Sequence, residues 1–222
     1  MGALGPAEAY SLWAPHYAAE TVISALEYVA VESLSVDVRN RRLLDVGCGI
    51  ARRMTQARES GVALAVGVDL TPRMLAEARE GELLAAADVR AIPVADETFD
   101  VVWCRLVLGH VPDLEAAYSE LTRVCARGGR VVVTDFHPDA VEAGHRRTFR
   151  GDDGVVREIE HHVHTPRAHR RAAARAGLTL VQRFDRAVGE TVRGFYERAG
   201  RLDAYEQQCG LAVVLALAFV RA

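Results

Sequence analysis

The chain has 222 residues, half of them hydrophobic, enough to bury a substantial core as one domain. Its net charge of −3 argues against general nucleic-acid binding, and no apolar run approaches the roughly 20 residues needed to cross a bilayer. The cysteines Cys48, Cys104, Cys125 and Cys209 lack CxxC spacing, and the first residues lack a basic region followed by an apolar core, so a reduced, cytoplasmic protein without a secretory signal is expected.

A helical segment over about 6–35 opens the chain, and residues 1–38 are expected to form a helical cap. Apolar, strand-like runs then follow at 42–47, 63–69, 83–88, 99–105 and 129–136, separated by helical stretches near 51–60, 72–80 and 113–127. This alternation predicts an α/β fold, a Rossmann-like three-layer sandwich with a mostly parallel, seven-stranded sheet. After 136 the rhythm changes. Residues 145–164 resemble two polar strands joined by the turn-rich Gly151-Asp152-Asp153-Gly154, and 137–164 is expected to be a lid insertion after the fifth strand. Thr165-Pro166 fits an N-cap and first helical position for a helix closed by Gly177, and two further strands follow at 178–185 and 211–220. One domain, 1–222, accommodates everything.

In such sheets ligands bind outside the carboxyl ends of the strands. There "LLDVGCGIARR" (43–53) places Asp45 at a strand end, then Gly47 and Gly49, which allow a tight turn and close approach to a ligand. A dinucleotide fingerprint would have its third glycine at 52, where this chain has arginine. Asp69 ends the second strand, where a carboxylate can accept hydrogen bonds from both ribose hydroxyls; Asp88 ends the third, where it can accept from an adenine amino group. Helix capping is the alternative role for each acid.

The ordered series "LLDVGCGIARR … VGVDLTPRML … ADVRAIPVADETFDVVWCRLVLGHVPD … ELTRVCARGGRVVVTDFHP", over about 40–138, resembles the class I S-adenosylmethionine-dependent methyltransferases. Within them it is similar to the small-molecule branch that includes quinone-pathway and malonyl-carrier-protein enzymes. The resemblance implies S-adenosylmethionine as cofactor. Asp45, Gly47, Cys48 and Gly49 would surround its methionine portion, Asp69 with Leu70 its ribose, and Asp88 with Val89 its adenine; Arg105 would offer backbone contacts. Ile50 and Ala51 depart from the family's commoner threonine and glycine. The N-terminal "AYSLWAPHY" resembles a segment that folds over the cofactor, so Tyr10 and Tyr17 are expected at the cofactor, whose sulfonium aromatic faces attract, and Trp13 at the substrate.

Methyl transfer is an in-line displacement, and a hydroxyl or carbon acid also needs a base. His110 and His137, after the fourth and fifth strands, are the catalytic candidates. In the lid, Arg146, Arg147 and Arg150 are available to clamp a carboxylate, with Arg146 and Arg150 taken forward as substrate contacts. In "EIEHHVHTPRAH", His162 and His164 are expected on one face of a strand and His161 on the other, with His162 a further substrate contact. A metal held by His162, His164 and His137 or Glu160 is the less favoured use of that face, and no metal is expected. The expected function is methyl transfer to oxygen or carbon of a small, anionic or phenolic, free or carrier-bound metabolite. No nucleic-acid or membrane partner is expected, and the chain would be a monomer or homodimer. The alternatives are a relative that binds the cofactor without methylating and, disfavoured by position 52, an NAD-dependent oxidoreductase.

Overall fold

The computed structural model describes residues 2–222. Its elements, in chain order, are α1 (Pro6–Trp13), α2 (Val22–Ser33), β1 (Arg42–Val46), α3 (Arg52–Glu59), β2 (Leu64–Asp69), α4 (Pro72–Ala76) and β3 (Leu84–Ala86). There follow β4 (Phe99–Arg105), α5 (Leu114–Val124), β5 (Cys125–Phe136), α6 (Pro138–Glu142), β6 (Thr148–Arg150) and β7 (Val156–Glu158). The chain ends with α7 (Pro166–Arg175), β8 (Leu178–Ala187), α8 (Glu190–Arg198), α9 (Leu202–Gln208) and β9 (Ala212–Arg221).

Seven strands form one sheet in the order β3-β2-β1-β4-β5-β9-β8. The pairs from β3 through β5 are parallel, and β9 runs antiparallel to both of its neighbours. Alternation along each strand builds the two faces. Leu44, Val102, Cys104 and Val133 face a core closed by Leu114, Tyr118 and Leu121 of α5 and by Ala172 and Ala173 of α7. Leu43, Val101, Trp103 and Val132 face the other core, closed by Leu26, Ala30 and Leu34 of α2 and Val192 of α8. Helices therefore cover both faces, as the apolar strands require. Thr165 caps α7 by accepting from the Ala168 N–H, with Pro166 in its first turn.

Two expectations change here. The N-terminal stretch is not one helix: a 3-10 turn at Ala14–His16, containing Pro15, ends α1, and Thr21 starts α2 with a capping box. Within 1–38, α2 lies against the sheet, and α1 alone folds over the strand ends toward the lid. The lid itself contains α6 and the antiparallel β6–β7 hairpin. It stops pairing at Glu158, so His161, His162 and His164 lie beyond the strand and do not alternate about a sheet. Leu4 runs alongside this return segment, donating to the Glu158 carbonyl (2.9 Å) and accepting from Glu160 N–H (2.8 Å).

Candidate cofactor and acceptor site

The carboxyl ends of β1 to β4 open into a cleft of about 240 Å³, roofed by α1 and bordered by Tyr10, Tyr17, Gly49, Asp69, Val89 and His110. At its base the chain leaves β1 through Gly47, whose φ of +72° glycine adopts without strain. The N–H groups of Gly47 and Cys48 both donate to the Val68 carbonyl (2.7 and 3.0 Å). A Cβ on Gly47 would stand 2.1 Å from Val107, so the loop packs directly under the segment after β4. Ala51, which precedes α3, has φ of +59°, so its methyl group is carried in the left-handed region where the family's commoner glycine is unstrained.

Asp69 is fixed at the cleft mouth by two backbone donors, Gly49 N–H on Oδ2 and Thr71 N–H on Oδ1, both at 2.8 Å. Each oxygen keeps a lone pair for a ligand. Burial raises its carboxyl above the ordinary range, against the pull of those donors. Leu70 borders the cleft and is half exposed, a nonpolar surface beside the acid. Asp88 also borders the cleft, but Arg90 already grips both of its oxygens at 2.6 and 2.9 Å. That pairing, through a hydrogen bond with Arg90, holds the Asp88 carboxyl low.

Asp45 differs from expectation. It lies beneath the cleft, fully buried, with neither carboxylate oxygen hydrogen-bonded. It shares the α2 face of the sheet with Leu43, where Glu27 is a second buried acid. Arg105 grips Glu27 through Nε and Nη2 (2.6 and 2.8 Å), Arg53 adds a bond at 3.2 Å and the Thr134 hydroxyl one at 3.0 Å. Despite its burial, Glu27 is held down to about 2 by these partners. Asp45 has no such partner, and desolvation lifts it to about 6. So the side chain of Arg105 is held by Glu27, while the residue also borders the cleft. Cys48 is buried, its thiol pushed up by desolvation, and it borders a second, smaller cavity instead.

That second cavity, about 40 Å³, is lined by Trp13, Tyr17, Ile50, Arg53, Leu106 and Arg147 among others. Tyr17 borders both spaces. Trp13 stacks between Tyr10 (5.8 Å) and Phe149 of β6 (5.6 Å). Arg147 reaches in from the lid, and its Nη2 donates to the Tyr10 hydroxyl at 3.4 Å. Among the described residues no carboxylate pairs with it.

The lid arginines expected at the substrate, Arg146 and Arg150, point outward, bonded to carbonyls of His145 and Gly154. The extended chain leading into β6 explains this: Arg147 and Phe149 turn inward, so Arg146 and Arg150 turn out. The alternation was legible, with Phe149 as the apolar marker of the inner face. His162 is likewise outside the site; its ring stands 3.5 Å from Glu160 and only its backbone N–H reaches Gly109 (2.7 Å). The His164 ring faces the Val111 carbonyl (2.8 Å). Among the described residues no three metal-binding side chains converge.

His110 is at the cleft. Its Nδ1 lies 2.9 Å from the Glu160 carbonyl, which can only accept, so Nδ1 carries the proton. Neutral Nε2 then accepts from the Tyr10 hydroxyl at 2.9 Å. Burial, with the Arg147 charge, lowers the imidazole to about 4. His137 is elsewhere. Antiparallel pairing of β5 with β9 continues to Phe136, and His137 N–H bonds to the Val213 carbonyl. Its Nδ1 caps α6 by accepting from Asp139 N–H (3.2 Å) and its Nε2 stands 3.8 Å from Asp185, away from the cleft. The neighbouring Asp135, which no sequence motif singles out, is buried with His169 at 3.2 Å and His161 at 3.7 Å. Behind them His169 bonds to the buried Tyr118 hydroxyl at 3.0 Å.

The residues present suit the cofactor implied by the sequence resemblance. A diol acceptor stands at Asp69, aromatic faces overhang the cleft, and the orphan carboxylate of Asp45 lacks a cation.

Residues 44–133 match a family described as a methyltransferase domain. A malonyl-[acyl-carrier protein] O-methyltransferase of Enterobacter lignolyticus (strain SCF1) is 32% identical over 138 residues, covering 61% of this chain and 55% of that protein. A demethylmenaquinone methyltransferase of Thermus thermophilus is 39% identical over 114 residues, covering 47% and 51%. The chain thus spans about half the length of these curated relatives. Among solved structures, an S-adenosylmethionine-dependent methyltransferase from Mesorhizobium loti superposes with a TM-score of 0.69 at 21% identity, over 88% of this chain and 98% of that one, which establishes the shared fold.

Proposed function

We propose, from the premise that residues 44–133 belong to the methyltransferase domain family, that this chain transfers a methyl group from S-adenosylmethionine to oxygen or carbon of a small anionic or phenolic metabolite. The observation that carries the reading is Asp69, a carboxylate pinned by Gly49 and Thr71 at the mouth of a cleft overhung by Tyr10 and Tyr17.

When bound, S-adenosylmethionine supplies an electrophilic methyl group on a cationic sulfur. Asp69 accepts from the ribose hydroxyls, and Val89 and Leu70 give the adenine side apolar walls. Asp45, buried beneath the cleft with no hydrogen-bond partner, would attract the ammonium of the methionine portion from below the floor of the cleft. Tyr10 and Tyr17 present aromatic faces that attract a cation. Arg147, lacking a carboxylate partner, orients negative charge on the acceptor in the smaller cavity. Direct in-line displacement then draws mainly on positioning and exclusion of water, for which α1 and the lid, 137–164, are the closing parts of a single domain.

Calorimetry with S-adenosylmethionine tests this. Saturable binding is expected, and Asp69→Ala should weaken it at least about tenfold by removing two ribose hydrogen bonds to a charged group. Binding of NAD in place of S-adenosylmethionine overturns the reading; cofactor binding without turnover on any anionic or phenolic acceptor leaves only the non-methylating alternative.

A further inference from the structure

We propose that Tyr10 and His110 form a proton relay for an acidic hydroxyl on the methyl acceptor, with Arg147 holding the charge left on its oxygen. This rests on the methyl-transfer reading above.

The three side chains come from positions 10, 110 and 147, on α1, the turn after β4 and the lid; Tyr10 and His110 border the larger cleft, Arg147 the smaller cavity, and Tyr17 and Leu106 line both. The hydrogen-bond directions are fixed from one end. The Glu160 carbonyl commits the proton of His110 to Nδ1, so Nε2 must accept from the Tyr10 hydroxyl. Tyr10 Oη therefore turns its proton toward His110 and a lone pair toward Arg147, 3.4 Å away, on a ring that borders the larger cleft. An acceptor hydroxyl brought from the cleft to Tyr10 Oη would meet an acceptor oxygen with a guanidinium behind it.

The step balances. The acceptor O–H bond breaks as its proton passes to Tyr10 Oη, and the original Tyr10 proton passes to His110 Nε2. The acceptor oxygen gains a negative charge beside Arg147, and His110 becomes an imidazolium with Nδ1–H still on Glu160 and Nε2–H on Tyr10. Every new donor keeps a partner. In the free protein, burial and the Arg147 charge oppose that imidazolium, with His161 adding to the opposition and the Asp135 carboxylate working the other way. An oxyanion at Arg147 cancels the adverse charge, so the relay takes a proton only when the acceptor is seated.

The test uses 4-nitrophenol, whose phenolate absorbs visible light, bound to protein saturated with S-adenosylhomocysteine, and ¹⁵N NMR of labelled histidine. The expected result is that bound 4-nitrophenol ionises about tenfold more readily than free, one pH unit, while His110 passes from the neutral Nδ1–H form to imidazolium. Tyr10→Phe, which keeps the stacking on Trp13, should leave His110 neutral in the presence of the probe, and His110→Gln should remove the tenfold gain. Both variants should keep the wild-type far-UV circular dichroism and a single cooperative urea transition, showing intact folding. Unshifted ionisation in the wild type, phenolate bound beside a neutral His110, or protonation of His110 that survives Tyr10→Phe overturns the relay. Failure of the wild type to bind S-adenosylhomocysteine overturns the methyl-transfer reading instead.

Discussion

At the scale of single residues, Asp45 is a carboxylate kept without a partner at the expense of stability. Its folded pKa of about 6 lies above the ordinary aspartate value, so the folded state holds this proton more readily than the unfolded chain. The stability linked to that proton is complete below about pH 4 and is lost as pH rises through 6; the span corresponds to about 3 kcal/mol. Asp45→Asn should therefore raise the stability of the free protein at pH 7.5 by up to about that amount, an advantage that disappears near pH 4. The same substitution should abolish the attraction for an ammonium and weaken S-adenosylmethionine binding. For the wild type, affinity should fall as pH drops below 6. Urea melts and calorimetry across pH 4 to 8 check both; equal stability of the Asp45→Asn variant and wild type at pH 7.5, with equal affinity, refutes the assignment.

At the scale of elements, the turn after β4 leaves no room for a side chain at Gly109. A Cβ at Gly109 would lie 2.1 Å from His161 Nε2 and 2.8 Å from Asp135 Oδ1. The His161 ring has little room to yield, because it sits edge-on against Phe136 and His110, with centroids at 5.7 and 5.6 Å. Gly109→Ala should cost roughly 1–3 kcal/mol through overpacking and should loosen the His162 N–H bond to the Gly109 carbonyl. A shift in urea midpoint at constant slope measures it. The β-elements were legible from the sequence because buried parallel strands are near-continuous apolar runs, and their acidic ends fell where topology puts a site. Asp69 was readable for that reason. Arg147, named beside Arg146 and Arg150 but not taken forward, turns inward because Phe149 sets the phase of the alternation. Glu27 was missed because an acid in an apolar helix gives no sign of partners 26 and 78 residues away. The helices α6, α8 and α9 have nine residues or fewer, too few turns for a clear period. His137 was misplaced because position after a strand does not reveal that β5 goes on pairing with β9.

At the scale of the molecule, the segment around α1 and the 145–164 segment are joined by direct contacts. Leu4 is hydrogen-bonded to the return segment on both sides of Ile159, His16 pairs with Asp152, and Trp13 stacks on Phe149. These contacts hold the two segments together, and Tyr10 and Arg147 join them to His110. A ligand that fills the cleft should therefore quiet both parts at once. With S-adenosylhomocysteine bound, amide hydrogen exchange over 4–17 and 145–164 is expected to slow together by about tenfold or more, with the β1–β5 sheet little changed. Slowing confined to one of the two segments contradicts a common unit.

Tyr17 is the one ring that serves as a wall for both chambers. A ligand that moved this ring from the side of the larger cleft would therefore also change the shape of the smaller cavity.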